Sequence, residues 1–335
     1  MKKNKKFNSL AVVLVNYNGL SDTLKCLASL KKQTAKDFLT IVVDNASKED
    51  TNKITKKYPK AVFIKRETNT GWAGGNNTGI KHALKAGCKN IVLLNNDTFV
   101  SKKFVEHMIL AAENYPEFGI LGPLIYSMEK PKEVMTEGCL YNRPRYNGFF
   151  KSQHVPVKIS NPQSIKETEI VNGCCLMVRK EVIDQIGLID ERFFYLCEES
   201  DFCLRTLQKG WKCGVIAEPL VWHKGSAAFR RPGYNLKNYY NSRNLWLLLK
   251  KNAGKTKKAR GWLGSRIQYL NTTRYMYSDA LEKGLRNYAD PVIDGVTDAW
   301  TRRYGIKKDI RNKLIRRFVA LWLNLNFLIA KTLRN

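Results

Sequence analysis

The first 125 residues alternate short apolar, β-branched runs with amphipathic helical patterns. The apolar runs predict strands at residues 10–15, 38–43, 61–64, 90–94 and 119–121. The stretches between them predict helices at residues 21–33, 50–57, 76–86 and 102–114, with Ser21 and Ser101 as N-caps. Nearly continuous apolar strands separated by helices are typical of a mostly parallel sheet with helices on its faces. This half of the chain therefore predicts a doubly wound α/β unit.

The pattern changes after residue 125. Residues 126–166 are rich in Pro, Gly, Asn and Lys, and they predict an insertion or a long loop. A strand at 169–179, a helix at 180–186 and a strand at 212–216 are expected next. From residue 238 onward the pattern is helical and contains no obvious catalytic cluster.

The last predicted helix spans residues 310–333. Its apolar stripe consists of Leu314, Ile315, Phe318, Leu321, Trp322, Leu325 and Leu328. The stripe predicts either an amphipathic helix lying in the plane of a membrane surface or a face that packs on the domain core or on a second subunit. No apolar stretch of about 20 residues is present, so a spanning helix is not expected.

The net charge of +29 is concentrated near the carboxyl terminus, where residues 250–334 contain 20 Lys and Arg against 6 Asp and Glu. Such a field favours anionic partners, namely phospholipid headgroups, lipid pyrophosphates or nucleic acid, although a solvated basic surface is the alternative. The eight cysteines show no CxxC spacing, which argues against a zinc site or a disulfide framework. We therefore expect reduced thiols and a cytoplasmic protein.

Polar residues follow four of the predicted strands. These are Asn16, Tyr17 and Asn18 after the first, Asp44 and Asn45 after the second, residues 69–77 after the third, and Asn95, Asn96 and Asp97 after the fourth. Ligands of open α/β sheets bind beyond the carboxyl ends of the strands. Four polar strand ends at one edge therefore predict a binding site.

The glycine-rich segment has glycines at positions 71, 74, 75 and 79, which do not form a G-x-G-x-x-G motif. NAD binding is therefore disfavoured. Gly74 and Gly75 would let the backbone approach a ribose or phosphate, and Asn76 and Asn77 could hydrogen-bond it. The simpler interpretation is a loop and a helix cap.

Asp97 should emerge at the edge of the sheet, because it follows a buried strand. A divalent cation that bridges a pyrophosphate takes one or two carboxylates together with phosphate oxygens. Asp97 can supply one carboxylate, whereas Asn95 offers only an amide oxygen. A turn at a strand end is the alternative for either residue.

Two further groups carry candidate chemistry. Glu198, Glu199 and Asp201 stand at a predicted helix start, after the aromatic residues 193–195. The helix dipole explains such acids in part, but an apolar wall would also raise a carboxyl pKa into the range of a general base. His223 follows a predicted strand and could complete a metal site, although a lone histidine is more often a surface or hydrogen-bonded residue.

Several motifs together closely resemble the family 2 glycosyltransferases. They are VLVNYNG at 13–19, VVDNAS at 42–47, NTGWAGGNNTGI at 69–80, LLNNDT at 93–98, VNGCCLMVRKEV at 171–182 and IDERFFYLCEESDFCLR at 189–205. The resemblance covers roughly residues 9–250 and is strongest to the rhamnosyltransferase-like branch, which extends lipid-linked or cell-wall polysaccharides.

The resemblance implies a GT-A fold, a dTDP-, UDP- or GDP-linked sugar donor, Mg²⁺ or Mn²⁺, and inversion at the anomeric carbon. It assigns donor binding to Asn16, Asn18, Asp44, Asn45, Gly74, Gly75, Asn76, Asn77, Asn95 and Asn96. It assigns the metal to Asp97 and His223. Asn95 stands where many members have an aspartate, and Glu199 stands where the catalytic aspartate is usual. The base is therefore expected to be Glu199, with Glu198 next and Asp201 structural.

These expectations divide the chain into a GT-A domain at 1–236, with halves at 1–125 and 126–236, and a basic helical region at 237–335. The expected acceptor is a saccharide linked to a polyprenyl pyrophosphate, on the inner face of the cell membrane, where the protein would bind an anionic surface. The sequence leaves open whether the chain forms a homo-oligomer. A nucleotidyltransferase is the alternative enzyme, whereas a basic nucleic-acid-binding protein would leave the polar strand ends unexplained.

Overall fold

The computed structural model describes residues 10–139, 164–225, 235–255, 261–309 and 312–332. The contacts between residues divide the described chain into two compact units. The first unit contains residues 10–139, 164–189 and 202–225. The second unit contains residues 190–201 and the described residues from 235 onward. Most of the long loop predicted at residues 126–166 lies outside the described residues.

The first unit is built around one mixed sheet. Its strands are β1 (Leu10–Asn16), β2 (Leu39–Asp44), β3 (Val62–Lys65), β4 (Asn90–Asn95), β5 (Thr98–Val100), β6 (Phe118–Ser127), β7 (Val134–Thr136), β8 (Ile165–Thr168), β9 (Cys175–Arg179) and β10 (Lys212–His223). The strand order is β3-β2-β1-β4-β9-β6-β10-β5, with β7 beside β6 and β8 beside β10. Strands β3, β2, β1, β4, β6 and β10 run in one direction, and the other four described strands run against them.

Helices cover both faces of this sheet. They are α1 (Leu20–Lys31), α2 (Asn52–Lys57), α3 (Gly71–Lys85), α4 (Phe104–Asn114), α5 (Lys180–Ile186) and α6 (Glu198–Gln208), and the residues of α6 are divided between the two units after Asp201. Leu10, Val12 and Leu14 of β1 share one core with residues of α1 and α4. The α3 helix packs on the opposite side of β1. The predicted α/β class is confirmed.

Several local predictions need correction. Neither predicted serine cap is used, because Gly19 precedes α1 and Lys103 precedes α4. The α3 helix begins at Gly71, five residues before the expected start, so the glycines belong to the helix and not to a loop before it. Strand β9 covers only the last five residues of the run predicted at 169–179, whereas β6 and β10 are longer than predicted.

The second unit is helical after residue 235, as the sequence predicts. Its helices are α7 (Leu236–Asn252), α8 (Trp262–Glu282), α9 (Arg286–Trp300) and α10 (Lys313–Thr332). The α7 and α9 helices pack closely, since Gly295 of α9 leaves no room for a Cβ against Tyr239 and Ser242 of α7. Among the described residues, no helix is both long and apolar enough to cross a membrane.

The α10 helix is apolar on two faces. Val319 and Leu323 are fully buried, so one face packs within the helical unit. The predicted stripe lies largely on the other face, where Leu314, Phe318, Leu321, Leu325 and Leu328 are all more than half exposed. Packing on the unit and an exposed apolar face are therefore both present on the same helix.

The α3 helix packs closely on β1 at Gly79. A Cβ at Gly79 would overlap the two methyl groups of Val13. Gly79→Ala should therefore lower the free energy of unfolding by about 1–3 kcal/mol, as overpacking of a core does. Val13→Ala removes the obstructing methyl groups, so the double variant should lose less stability than the sum of the single variants. Urea unfolding of the wild type, the two single variants and the double variant measures this coupling, and strictly additive losses would contradict the contact between Gly79 and Val13.

Candidate active site

Three of the polar strand ends lie side by side. Strand β1 runs between β2 and β4, parallel to both, with Asn16 opposite Asp44 and Val15 opposite Asn95. The carboxyl ends of the three strands therefore reach the same edge of the sheet. The predicted convergence of Asn16, Asp44 and Asn95 is found in the structure.

Asp44 organises the loops at this edge. Its Oδ1 accepts hydrogen bonds from Asn16 Nδ2 at 3.2 Å and from the Ser47 amide at 3.3 Å, and its Oδ2 accepts one from Thr51 Oγ1 at 3.0 Å. The residue is fully buried. A buried carboxylate needs such donors because its desolvation is costly. Asp44 therefore joins the end of β1 to the turn after β2.

The loop after β1 is bound to the same turn. The Asn18 amide donates to Ser47 Oγ at 2.9 Å, and Asn18 Oδ1 accepts from the Lys48 amide at 2.8 Å. Asn18 has a left-handed backbone with φ of 51°, which asparagine tolerates better than most residues. Tyr17, which lies between Asn16 and Asn18 in the chain, is 49 % exposed. The loop is thus ordered by its neighbours while one aromatic ring faces solvent.

Asn45 fixes the start of α3. Its Nδ2 donates to Asn69 Oδ1 and to the Gly71 carbonyl, both at 3.0 Å. Its Oδ1 accepts from the amide and the hydroxyl of Thr70, both at 3.2 Å. Nδ2 thus donates twice and Oδ1 accepts twice, in each case with residues 69–71. Asn45 therefore connects the second and third polar strand ends.

The other α3 residues predicted for donor binding lie inside the protein. Asn76 Nδ2 donates to the Trp72 carbonyl at 2.9 Å, and the Asn77 side chain exchanges two hydrogen bonds with the backbone of Ile189. Gly74 and Gly75 are buried, and a Cβ at Gly75 would meet Val15 at 2.7 Å. Gly75 is therefore needed for the packing of α3 on β1, and both asparagine side chains hydrogen-bond the protein backbone.

The turn after β4 places Asp97 beside His223. Strand β5 pairs with β10, with Thr98 opposite His223, and this brings His223 Nε2 to 3.0 Å from Asp97 Oδ1. Both side chains are largely buried. Burial by itself would lower the pKa of His223, but the neighbouring Cys174 and Asp97 raise this pKa to about 11. The two predicted metal residues therefore meet as an ion pair.

Asn95 and Asn96 each hydrogen-bond another side chain of the protein. Asn95 Oδ1 accepts a hydrogen bond from the Trp72 indole Nε1 at 2.9 Å, and Asn96 Nδ2 donates to Thr23 Oγ1 at 2.9 Å. The sequence alone did not single out Trp72 or Thr23 for these contacts. Trp72 stands in the same glycine-rich segment, but nothing in its sequence position indicates that its ring reaches the end of β4.

The ligands that this edge offers to a cation are few. Asp97 and His223 contribute one carboxylate oxygen and one imidazole nitrogen. Nowhere in the described parts of the chain do three or more His, Cys, Asp or Glu side chains form a group that could hold a metal. Two protein ligands fit a hard cation only if a ligand such as a diphosphate supplies the other oxygens.

The acid cluster lies in the first turn of α6. Glu198 is 4 % exposed, Glu199 is half-buried and Asp201 is fully buried. Burial raises the pKa of Glu199, and burial together with the adjacent Glu199 raises the pKa of Glu198 well above its usual value. Asp201 Oδ1 instead forms an ion pair with Lys251 Nζ at 2.8 Å. The two glutamates therefore have the raised pKa expected of a base, and Asp201 is engaged in the structure.

Residues 11–187 match the family described as "Glycosyl transferase family 2". The match covers more than half of the 335 residues, and the chain belongs to this family. Glycosyl transfer is thereby favoured over nucleotidyl transfer and over nucleic-acid binding, as the motifs predict.

The chain is also similar in sequence to individual glycosyltransferases. The chain is 26 % identical to the dTDP-rhamnosyl transferase RfbF of Shigella flexneri, over 73 % of this chain and 81 % of that protein. It is 24 % identical to the N-acetylglucosaminyl-diphospho-decaprenol L-rhamnosyltransferase of Mycobacterium tuberculosis, over 71 % and 83 %. A low-salt glycan biosynthesis hexosyltransferase of Haloferax volcanii is 26 % identical, but the match spans only 64 % of its length. These relatives support the rhamnosyltransferase-like branch.

Solved structures agree on the fold. The crystal structure of residues 1–349 of S. aureus TarS superposes with a TM-score of 0.52 at 14 % identity, over 95 % of this chain and 89 % of that one. The same protein in complex with UDP gives a TM-score of 0.50. At this identity the likeness concerns the fold alone, and it confirms the predicted GT-A architecture with a helical carboxyl-terminal region.

Proposed function

We propose that this glycosyltransferase moves a sugar from a nucleoside-diphosphate donor to a saccharide acceptor, with inversion at the anomeric carbon. The observation that carries the proposal is the edge at which β2, β1 and β4 end side by side, where Asn16, Asp44 and Asn95 meet. Open α/β sheets bind nucleotides at such an edge. The two rhamnosyltransferase relatives make an activated rhamnose, such as dTDP-rhamnose, the first donor to test.

The donor-binding residues divide into two kinds in this proposal. Asn16, Asp44 and Asn45 shape the loops, since their side chains are hydrogen-bonded within the protein. The loop containing Asn18 and the exposed Tyr17 then offers backbone groups and a ring to the nucleoside. Gly74, Gly75, Asn76, Asn77, Asn95 and Asn96 contribute through the position of α3 and of the β4 turn. The crystal structure of TarS, a protein of the same fold, in complex with UDP supports a nucleotide-linked donor.

Asp97 and His223 are the proposed contacts to a Mg²⁺ or Mn²⁺ ion held with the donor diphosphate. Their oxygen and nitrogen atoms suit such an ion, provided that His223 gives up the proton on Nε2 that now faces Asp97. When bound, the cation would neutralise the charge that grows on the departing nucleoside diphosphate.

Glu199 is the proposed base, and Glu198 is the second candidate. The carboxylate accepts the proton of an acceptor hydroxyl while the oxygen of that hydroxyl attacks the anomeric carbon. The bond from this carbon to the diphosphate oxygen breaks in the same step, and the configuration inverts. A pKa raised by burial makes either glutamate a stronger base than one in water.

Glutamine substitutions test the base. Glu199→Gln should lower kcat by roughly 1,000-fold, because a general base contributes on this order to the rate. Donor binding should change little. Glu198→Gln should be milder. Because a base must be deprotonated, wild-type activity should fall as the pH drops through a pKa above the ordinary glutamate value of about 4.3. Steady-state kinetics at several pH values measure both effects. Near-wild-type turnover of the Glu199→Gln enzyme would remove Glu199 from this role.

A donor screen tests the reaction class and the cation together. Nucleoside diphosphate should be released from dTDP-rhamnose, or from one of the UDP- or GDP-sugars, and EDTA should abolish the release until Mn²⁺ or Mg²⁺ is restored. Asp97→Ala should reduce release by roughly 100-fold or more, because charge stabilisation at the leaving group is lost. Asp184→Asn is the matched control, since Asp184 pairs with Lys180 on an exposed helix surface. With a nucleoside triphosphate and a sugar 1-phosphate supplied in place of the nucleotide sugar, release of pyrophosphate would indicate nucleotidyl transfer.

The proposed acceptor is a saccharide on a polyprenyl pyrophosphate, and the proposed location is the inner face of the cell membrane. The exposed apolar face of α10 supports this location, because it adjoins Lys313 and Arg317 and the helix contains no Asp or Glu. The α8 helix also exposes Trp262 and Leu263. Basic and apolar side chains on an exposed helix suit an anionic lipid surface.

Vesicle binding tests this location. The double variant Phe318→Ser, Leu321→Ser should weaken binding to vesicles with phosphatidylglycerol by about tenfold or more, since two exposed apolar side chains can no longer enter the bilayer interface. Flotation with and without anionic lipid measures the effect. Phe99→Ser is the control, because Phe99 is a similarly exposed phenylalanine of the first unit. Equal binding of all three proteins would contradict the membrane role, and a monomer produced only by the α10 variant would indicate a subunit interface.

A further inference from the structure

The loop before the acid pair has an unusual backbone. Phe194, Leu196 and Cys197 all adopt left-handed conformations, with φ of 65°, 69° and 72°, and Glu198 begins α6 directly afterwards. Residues other than glycine avoid this region because the Cβ collides with the backbone. Three such residues within four positions need a structure around them that holds the strain, and strain of this kind collects at functional sites.

A single side chain from α7 holds most of this loop. Asn244 is fully buried, and its Nδ2 donates to the carbonyls of Phe193 at 2.9 Å, Tyr195 at 2.7 Å and Leu196 at 2.7 Å. Arg243 Nε donates to Asn244 Oδ1 at 2.9 Å, which orients the amide so that its nitrogen faces the loop. The three carbonyls therefore turn towards one donor group.

Arg243 adds a second set of contacts. Its guanidinium is fully buried and donates to the carbonyls of Phe193 at 2.9 Å and Gly305 at 2.6 Å. It also lies 4.8 Å from the centre of the Tyr240 ring, on which Phe194 stacks at 5.5 Å. A buried charge is costly unless it is hydrogen-bonded, so Arg243 stays buried only while these carbonyls, including that of Phe193 in the loop, are held against it.

Lys251, further along α7, holds both sides of the loop. Its Nζ lies 2.6 Å from Asp190 Oδ2, before the loop, and 2.8 Å from Asp201 Oδ1, in the first turn of α6. Asn244 and Lys251 are seven residues apart and therefore on one face of the helix. This face of α7 binds the segment on either side of Glu198 and Glu199.

We propose that Asn244, supported by Arg243, is a positioning residue for the acid pair: it keeps Phe194, Leu196 and Cys197 in the left-handed backbone that sets where α6 and its two glutamates begin. This inference rests on the proposed function, in which Glu199 or Glu198 is the base. A base displaced by a fraction of its hydrogen-bonding distance loses most of its effect. Neither residue takes part in the proton transfer itself.

Glycine rescue tests the proposal. Asn244→Leu keeps the shape of the side chain but removes the donor, and it should lower kcat by roughly 100-fold while the KM for the donor changes little. Adding Cys197→Gly should recover a good part of the loss, because glycine adopts a φ of 72° without the Cβ collision. Cys197→Ala in the same background is the matched control. It also removes the thiol but retains the Cβ, so it should not recover activity.

A measurement of the loop conformation that does not depend on enzyme activity separates this inference from the proposed function. The Cys197 thiol is only 6 % exposed, so its alkylation, measured by peptide mass spectrometry, should accelerate in the Asn244→Leu protein. Ser242→Ala, which loses hydrogen bonds to the backbone of α7 and α9, should leave alkylation and kcat as they are. If both glutamate-to-glutamine enzymes stay active while Asn244→Leu opens the loop, the base assignment fails and the loop contact stands.

Other outcomes overturn the inference. Wild-type kcat in Asn244→Leu, or equal recovery by glycine and alanine at position 197, would show that the contact does not position the acids. Should Asn244→Leu fail to fold, Asn244→Ser, which retains one donor proton, replaces it in the same comparison. Thermal unfolding of every variant checks that the change in kcat occurs in folded protein.

Discussion

The alignment of β1 between β2 and β4 is the constraint on which the first unit depends. Asn16 stands opposite Asp44, and Val15 stands opposite Asn95, so three strand ends reach one edge together. A slip of one residue would turn every side chain of β1 to the other face, and Val13 would no longer face Gly79. The register that seats α3 on the sheet therefore also assembles the polar edge.

Most of the side-chain amides at this edge are hydrogen-bonded within the protein. Asn45 holds the start of α3, Asn95 receives the indole of Trp72, and Asn77 holds the backbone of Ile189. These bonds satisfy polar groups that would otherwise be buried without partners. Asp97 and His223 differ, because their mutual contact is an ion pair between two ionisable groups. In the second unit, likewise, Asn244 and Arg243 hydrogen-bond the loop at residues 193–197, whereas the ionisable Glu198 and Glu199 follow that loop.

Much of the sheet could be predicted from the chain, because strands β1 to β4 are short apolar runs whose pattern is local. The errors occurred where local pattern and packing disagree. Glycines 71 to 79 suggest a loop, yet α3 needs small residues there to approach Val13 and Val15. The candidate site was predicted as a set of residue types at strand ends. The contacts between these residues were not predicted, since nothing local in the sequence connects Trp72 with Asn95. The roles of the site residues in donor binding stay predictions.

By itself the sequence determined the α/β class, the family and the polar strand ends, because periodicity and ordered motifs are properties of neighbouring residues. Only the tertiary structure decided that Asp97 meets His223, since β5 must first pair with β10. It also decided which apolar face of α10 is exposed, and that Phe194, Leu196 and Cys197 are left-handed. The physical reason is the same in each case: the partner that stabilises the conformation lies far away along the chain.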